Sequence, residues 1–309
     1  MSVHVTVLLR EAVDSLITDA DGCYVDATFG RGGHSQEILS RLGVNAQLIV
    51  IDKDLQALEV AAEMAVNEPR MSVKHGGFSQ IEEFVKTHTT EEGVQGVLLD
   101  LGVSSPQLDE ADRGFSFMRE GPLDMRMDVT QGQTAAEWLE EAGVEEISRV
   151  LKEYGEEKFA WRIANAIVDT RADKPLRTTI QLANLIDETV PFKDKHKHPA
   201  TRSFQAIRIH VNREMQELER FLDSALNVLA VGGRLVVISF HSLEDRMVKR
   251  FVREQEKGVA VPSYIPITAD QMHQPTLKNM CKPIRASEEE VERNARSRSA
   301  IMRVIERVS

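Results

Sequence analysis

The chain has 309 residues, 42% apolar and 28% charged, proportions that allow one large globular core or two ordinary ones. Its net charge of −11 argues against a protein that coats nucleic acid indiscriminately. No run nears the roughly 20 apolar residues of a membrane span, and Met1 to Leu16 lacks the pattern of a secretory signal. Cys23 and Cys281 lack zinc-ligand spacing, so no metal is expected, and such sparse cysteine suits a reduced, cytoplasmic setting.

Strand and helix signals alternate through the first hundred residues, as in a parallel sheet flanked by helices. Cys23–Thr28 reads as a strand running into Phe29-Gly30-Arg31-Gly32-Gly33, followed by a helix over Ser35–Leu42 that Gly43 stops. Gln47–Ile51 is apolar almost throughout, as a strand buried on both faces requires. A helix Leu55–Ala65, a strand Met71–His75, a helix Phe78–Thr87 and a strand Val94–Leu99 complete this part. The rhythm then changes. From Leu101 to His210 no core strand is evident, and two helix-start boxes stand at Thr134 to Glu137 and Thr178 to Gln181. Phe159, Ile163, Ala166 and Ile167 form one helical stripe, and Leu182, Leu185 and Ile186 another. A long amphipathic helix from Met215 to Leu229 is expected to end at Gly232-Gly233, ahead of a strand Arg234–Ser239. Lys282–Ser287 and Ala300–Val308 are candidates for the last strands. The organisation is therefore 1–103 with 211–309 as a Rossmann-like domain and 104–210 as an inserted, mostly helical subdomain.

In a doubly wound sheet, ligands bind beyond the carboxyl ends of the strands. The first such turn, Asp26 to His34, carries glycines at 30, 32 and 33 that let backbone amides approach a ligand. Asp52 can accept both ribose hydroxyls of an adenosine, and Asp26 and Asp100 add acids to the same edge. A pyrophosphate site wants a third glycine where Ser35 stands. S-adenosylmethionine (AdoMet) has no phosphate and carries an ammonium, which acids suit. Charge is uneven elsewhere. Lys193, Lys195, Lys197, Arg202, Arg208 and Arg213 face one acid, Asp194, within a single stretch, which fits either phosphate contact or a solvated face. Arg293, Arg296, Arg298 and Arg303 could extend such a patch. The acidic run Glu137 to Glu157 needs only a solvated face.

Six blocks carry a resemblance. They are Asp26–Ser35, Leu101–Gln107, Arg113–Phe117, Pro122–Asp128, His198–Ala206 and Ser239–Arg246. Together they resemble the MraW/RsmH family, whose members methylate N4 of a decoding-centre cytidine in 16S ribosomal RNA, and the likeness runs from about His4 to Arg303. It implies a class I (Rossmann-like) AdoMet-dependent methyltransferase fold. It further implies that Gly32, Gly33 and His34 contact AdoMet, that Asp52 holds the ribose and that Phe78 lies by the adenine. Asp100 and Gln107 complete the cofactor site. Ser104-Ser105-Pro106-Gln107 is a looser form of the motif with which many amino-methyltransferases hold the target amine: the second proline and the aromatic are missing. Phe115 or Phe117 could stack the base instead. As proton acceptors Asp124, Asp128, His198 and His241 are candidates, with Asp124 and Arg126 favoured as pocket residues. Lys195, Lys197, His198, Arg202 and His241 are candidates for the RNA side. Neither cysteine has the setting of a carbon-5 cytosine nucleophile.

The leading reading is a cytoplasmic 16S rRNA (cytosine-N4)-methyltransferase that meets its RNA within the small subunit, without a membrane and with homodimerisation open. A DNA or other amino-methyltransferase is one alternative. The other is a non-catalytic AdoMet-binding factor in ribosome assembly, which the dense polar segment Arg113–Asp128 argues against.

Overall fold

The computed structural model describes residues 6–88, 93–192, 198–257 and 274–309. Its contacts divide into two units, one of Met1–Gly102 with Gln216–Ser309 and one of Val103–Met215.

The first unit is built on a mixed sheet. Strands β1 (Cys23–Asp26), β2 (Gln47–Asp52), β3 (Met71–His75), β4 (Val94–Asp100) and β5 (Leu229–Ser239) run parallel in the order β3-β2-β1-β4-β5. Beyond β5, β8 (Ile301–Arg307) is antiparallel and carries the short β6 (Leu277–Asn279) and β7 (Ile284–Arg285). The strands are apolar almost throughout because both faces are covered. Val25, Ile49, Ile51, Val97, Leu99, Leu235 and Val237 pack towards α4 (Ile81–Val85), α11 (Glu214–Val228) and α12 (Ser242–Lys257). The alternating residues Tyr24, Leu48, Val50, Leu98, Val236 and Ile238 pack towards α1 (Leu9–Leu16), α2 (Gly33–Arg41) and α3 (Leu55–Ala65). This is the Rossmann-like fold of class I methyltransferases. The order reverses at β1, so the turns after β1 and β4 flank the position where such sheets bind ligands.

Several boundaries differ from the sequence reading. The pair Gly232-Gly233 does not terminate a helix: α11 ends at Val228, and both glycines lie inside β5. There the pairing with β4 shifts from Val94↔Leu229 to Gly96↔Arg234. Glycine tolerates the irregular backbone that such a shift demands. The helix after β3 opens with a 3₁₀ turn, Phe78–Gln80. The strand expected over Lys282–Ser287 is only Ile284–Arg285, while Leu277–Asn279 pairs without having shown a strand pattern.

The second unit contains α5 (Ser105–Asp109), α6 (Ala135–Glu141), α7 (Val144–Gly155), α8 (Ala160–Asp173), α9 (Thr179–Thr189) and α10 (Ala200–Val211). Among its described residues the only β pairing is the bridge Pro122↔Thr178. Both helix-start boxes form: the Glu137 and Gln181 side chains accept the amides of Thr134 and Thr178, which cap α6 and α9 in return. Trp138, Ile147, Leu151, Ile163, Ile167, Leu182, Ile186, Phe204 and Ile207 form its core. On α8 it is Ala164, not Ala166, that joins the buried face. Helices α7 and α10 meet closely because Gly155 has no side chain. A Cβ there would stand 2.6 Å from the Arg202 carbonyl oxygen and 3.1 Å from Ala206 Cβ.

Replacing Gly155 with alanine should therefore cost about 1–3 kcal/mol through overpacking. Both tryptophans, Trp138 and Trp161, belong to this unit, so urea unfolding followed by tryptophan fluorescence reports on it directly. An unmoved midpoint would show that the α7–α10 contact relaxes freely.

Candidate active site

Three strands of the first unit end in acids: Asp26 on β1, Asp52 on β2 and Asp100 on β4. Between β1 and α2 the chain makes its glycine turn. Gly30 and Gly32 adopt φ of +56° and +75°, a region that side chains disfavour. Gly32 precedes the first residue of α2, so the amides at that helix start are turned towards the sheet edge and favour an anionic group. A Cβ on Gly33 would collide with the Thr6 side chain, so the N-terminal segment lies directly on this turn.

Asp26 does not face an open pocket, contrary to the sequence reading. It is fully buried and works inside the turn. Its Oδ2 accepts from Ser35 Oγ at 2.6 Å and its Oδ1 from the Thr28 amide at 3.2 Å. Ser35, noted only as a missing glycine, is therefore the residue that ties the helix start to the strand end. Thr28 Oγ1 in turn accepts the Asp100 amide at 2.7 Å, joining the ends of β1 and β4. Asp52 accepts from the Gly30 amide at 2.8 Å and from the Asp54 amide at 2.9 Å.

Burial raises all three carboxyls. Asp26 is pushed to about 6 by desolvation, against the hydrogen bonds from Ser35 and Thr28 and with help from the Asp52 charge. Desolvation also lifts Asp52, opposed by the two backbone amides. Asp100 stands well above the ordinary range, first through burial and then through Asp26 and Glu244. Its Oδ1 is buried with no hydrogen-bond partner among the described residues. Such an atom suits a ligand that brings a donor or a positive charge. The acids suit hydroxyls and a cationic amine, while the helix-start amides suit a single anionic end.

His34 is buried, with Nε2 3.2 Å from the Val7 carbonyl oxygen and Nδ1 3.7 Å from Asp100 Oδ2. Phe78 is half-buried and meets Phe221 edge to face at 5.6 Å, packed against the core. His241 directly precedes α12, and its Nε2 is 3.0 Å from Glu244 Oε1. Sequence reasoning missed Glu244, whose carboxylate accepts the amides of Phe240 and His241 at that helix start. Its signal was the capping spacing, an acid three residues after the start. Arg303 is held by Asp245 through two hydrogen bonds of 2.8 and 3.1 Å, which makes it a tie between β8 and α12 rather than an open cation.

In the second unit, Ser104 caps the start of α5, and its amide donates to Gln107 Oε1 at 2.9 Å; Ser105 and Pro106 form the first turn. Gln107 is buried. Asp124 and Arg126 form a two-pronged ion pair, with hydrogen bonds of 2.8 and 2.9 Å. Both oxygens of Asp124 are thus engaged by the guanidinium. Asp128 accepts from Thr130 and Gln131. Phe115 is buried with the Arg113 guanidinium 5.8 Å from its ring centre. Phe117 packs between His198 at 4.7 Å and Phe204 at 4.8 Å, which makes it part of the unit's packing. His198 Nδ1 accepts the Ala200 amide at the start of α10, and Arg202 is exposed on that helix. Lys195 and Lys197 lie outside the described residues.

The raised carboxyl of Asp26 has a measurable consequence. The folded chain keeps that proton up to about pH 6, while an unfolded carboxyl loses it near pH 4, so in this window the folded state binds more protons. Asp26 therefore lowers stability as pH rises from about 4 to 6, by on the order of 3 kcal/mol in all. Asp26→Asn keeps the shape without the charge, so its stability relative to the parent should climb across that window. Urea midpoints at a series of pH values test this; parallel curves for the two proteins would refute it.

Comparison with known proteins identifies the family. The family model described as MraW methylase family matches residues 1–308. A relative from Pseudoalteromonas atlantica, named "Ribosomal RNA small subunit methyltransferase H", is 53% identical over 99% of this chain and 98% of its own. One from Idiomarina loihiensis with the same name is 52% identical over 99% of this chain and 97% of its own. A solved structure described as a putative rRNA-methylase from Clostridium thermocellum is 11% identical, covers 99% of each chain and superposes with a TM-score of 0.46. By its family match and its end-to-end likeness to these relatives, this chain belongs to the MraW methylase family.

Proposed function

We propose that the protein transfers the methyl group of AdoMet to the exocyclic N4 of a decoding-centre cytidine in 16S ribosomal RNA, within the small ribosomal subunit. The observation that carries this reading is the 53% identity, over nearly the whole of both chains, to a relative named as a ribosomal RNA small subunit methyltransferase. The acid-rich sheet edge supports it, because the buried Oδ1 of Asp100 calls for a donor and Asp52 stands at the end of the strand beside β1.

When bound, AdoMet supplies an electrophilic methyl group; the rest of the chemistry falls to the chain. The amides of Gly32, Gly33 and His34 at the start of α2 suit the carboxylate of the cofactor. Asp52 would take its ribose hydroxyls and Asp100 its ammonium end; Gln107 is a further candidate for the cofactor. Phe78 would border the adenine. The nitrogen to be methylated is a poor nucleophile, because its lone pair is delocalised into the ring. Much of the rate should therefore come from alignment, with Ser104 and Ser105 assigned to accept hydrogen bonds from the amine and Pro106 to fix the turn that carries them. Asp124, Asp128, His198 and His241 are the candidates for proton acceptance, and the two-pronged pairing with Arg126 makes Asp124 better suited to shaping the pocket. The Val103–Met215 unit is assigned to RNA recognition, with Phe115, Phe117, Arg126, His198 and Arg202 on it; His241 is a separate candidate on the first unit. Lys195 and Lys197 are assigned to the RNA backbone. An extrahelical base is required, since a stacked cytidine cannot present its amine to a buried cofactor. None of this chemistry needs a metal.

Two measurements test this reading. In a strain lacking the gene, nucleoside mass spectrometry of small-subunit RNA should show the N4-methylated cytidine gone and restored by the intact gene; an unchanged signal would sink the assignment. In calorimetry, Asp52→Asn should weaken AdoMet binding by roughly 1–3 kcal/mol, because a charged acceptor for two hydroxyls becomes a neutral one. Undiminished affinity would remove Asp52 from the site.

A further inference from the structure

Leu8 is a buried leucine in a left-handed conformation, φ 51° and ψ 35°, at the residue that precedes α1. That conformation is disfavoured for a residue with a Cβ and persists only where neighbours enforce it. The enforcing contact comes from the other end of the chain. Glu290 Oε1 accepts the Leu8 amide at 2.9 Å. Glu290 belongs to α13 (Glu288–Arg293), whose start is capped by Ser287: the Glu290 amide donates to Ser287 Oγ at 3.2 Å. Serine followed three residues later by glutamate is the pattern of a reciprocal capping box, in which the acid would turn back to its own helix start. Here its carboxylate instead reaches a residue 282 positions away.

What Glu290 holds in place bears on the glycine turn. Thr6 occupies the space a Cβ on Gly33 would need, and the Val7 carbonyl meets His34 Nε2 at 3.2 Å. A carbonyl can only accept, so Nε2 carries the proton and the ring is oriented with Nδ1 towards Asp100. Resting on the reading of Gly32–His34 as the cofactor loop, the geometry points to Glu290 as a positioning residue for AdoMet binding, acting through Leu8 and Val7 on the orientation of His34. Glu290 touches neither cofactor nor RNA in this scheme. It holds the Thr6–Leu8 segment in the conformation that presents a carbonyl to one imidazole nitrogen and leaves the other facing the end of β4.

The test uses the full chain with Glu290→Ala and Glu290→Gln, the amide being able to accept the Leu8 N–H as the carboxylate does. Nitrogen NMR of the imidazoles, with the His34 signals assigned by their loss in His34→Gln, reads the tautomer in the absence of cofactor. The parent and Glu290→Gln should show the Nε2–H form, and Glu290→Ala should shift towards the average of both tautomers. AdoMet affinity by calorimetry should fall about five- to ten-fold in Glu290→Ala, the effect of one lost positioning hydrogen bond, and recover in Glu290→Gln. Unmoved His34 signals in Glu290→Ala overturn the proposal, as does a moved tautomer with unchanged affinity. If Glu290→Ala fails to fold, Glu290→Gln decides: parent-like signals and affinity support the proposal, and a loss of either overturns it. A parent that binds no AdoMet would instead overturn the cofactor reading, while the tautomer measurement still judges the contact between Glu290 and His34.

Discussion

The hydrogen bond from Ser35 Oγ to Asp26 Oδ2, 2.6 Å long and fully buried, closes the turn on which the site depends. It joins the last residue of β1 to the first turn of α2, so the glycines between them are held as a compact loop. A buried carboxyl is costly, and this one is tolerated because each of its oxygens has a donor. The same turn reaches sideways. Thr28 links it to Asp100 on β4, and Gly30 links it to Asp52 on β2. Three neighbouring strand ends are thereby locked into one constellation by backbone amides and two hydroxyls.

That constellation concentrates acids with little opposing charge, Lys53 acting on Asp52 as the weakest of its influences. Burial lifts Asp26, Asp52 and Asp100 above the ordinary carboxylate range, with a smaller push on Asp26 from Asp52, on Asp52 from Asp54 and on Asp100 from Asp26 and Glu244. In a protein with no ligand to bind, such an arrangement would be a standing loss of stability. At a cofactor site it becomes useful, because an ammonium and two hydroxyls offer what the acids lack. Perturbed groups gathered at a sheet edge mark function for this reason. The ion pairs Asp124–Arg126 and Arg303–Asp245 show the opposite case, in which acid and base already satisfy each other.

Much of the framework was legible in the sequence for definite reasons. Gln47–Asp52 and Val94–Asp100 announce themselves as central strands because only a strand covered on both faces can be so uniformly apolar. The boxes at Thr134 and Thr178 name their helix starts because the two side chains involved are local. Gly232-Gly233 misled because glycine has two uses, ending a helix and easing a strand irregularity, and only pairing with β4 chooses between them. The short strands β6 and β7 were hard to see for a related reason: their partner, β8, supplies the order that their own sequences do not.

The sequence by itself determined the alternating strands and helices, the glycine turn, the acids at three strand ends and the resemblance to a methylase family. All of these rest on local periodicity or on residue types at fixed spacing. Only the tertiary structure decided what each acid does. Asp26 turned inward because Ser35 and Thr28 lie within reach of its oxygens, while Asp100 kept an oxygen without a partner. Likewise Glu290 carries the signature of a local helix cap, yet it reaches the Leu8 amide across the length of the chain. Hydrogen bonds between distant residues depend on how the layers pack, and no window of sequence contains that distance.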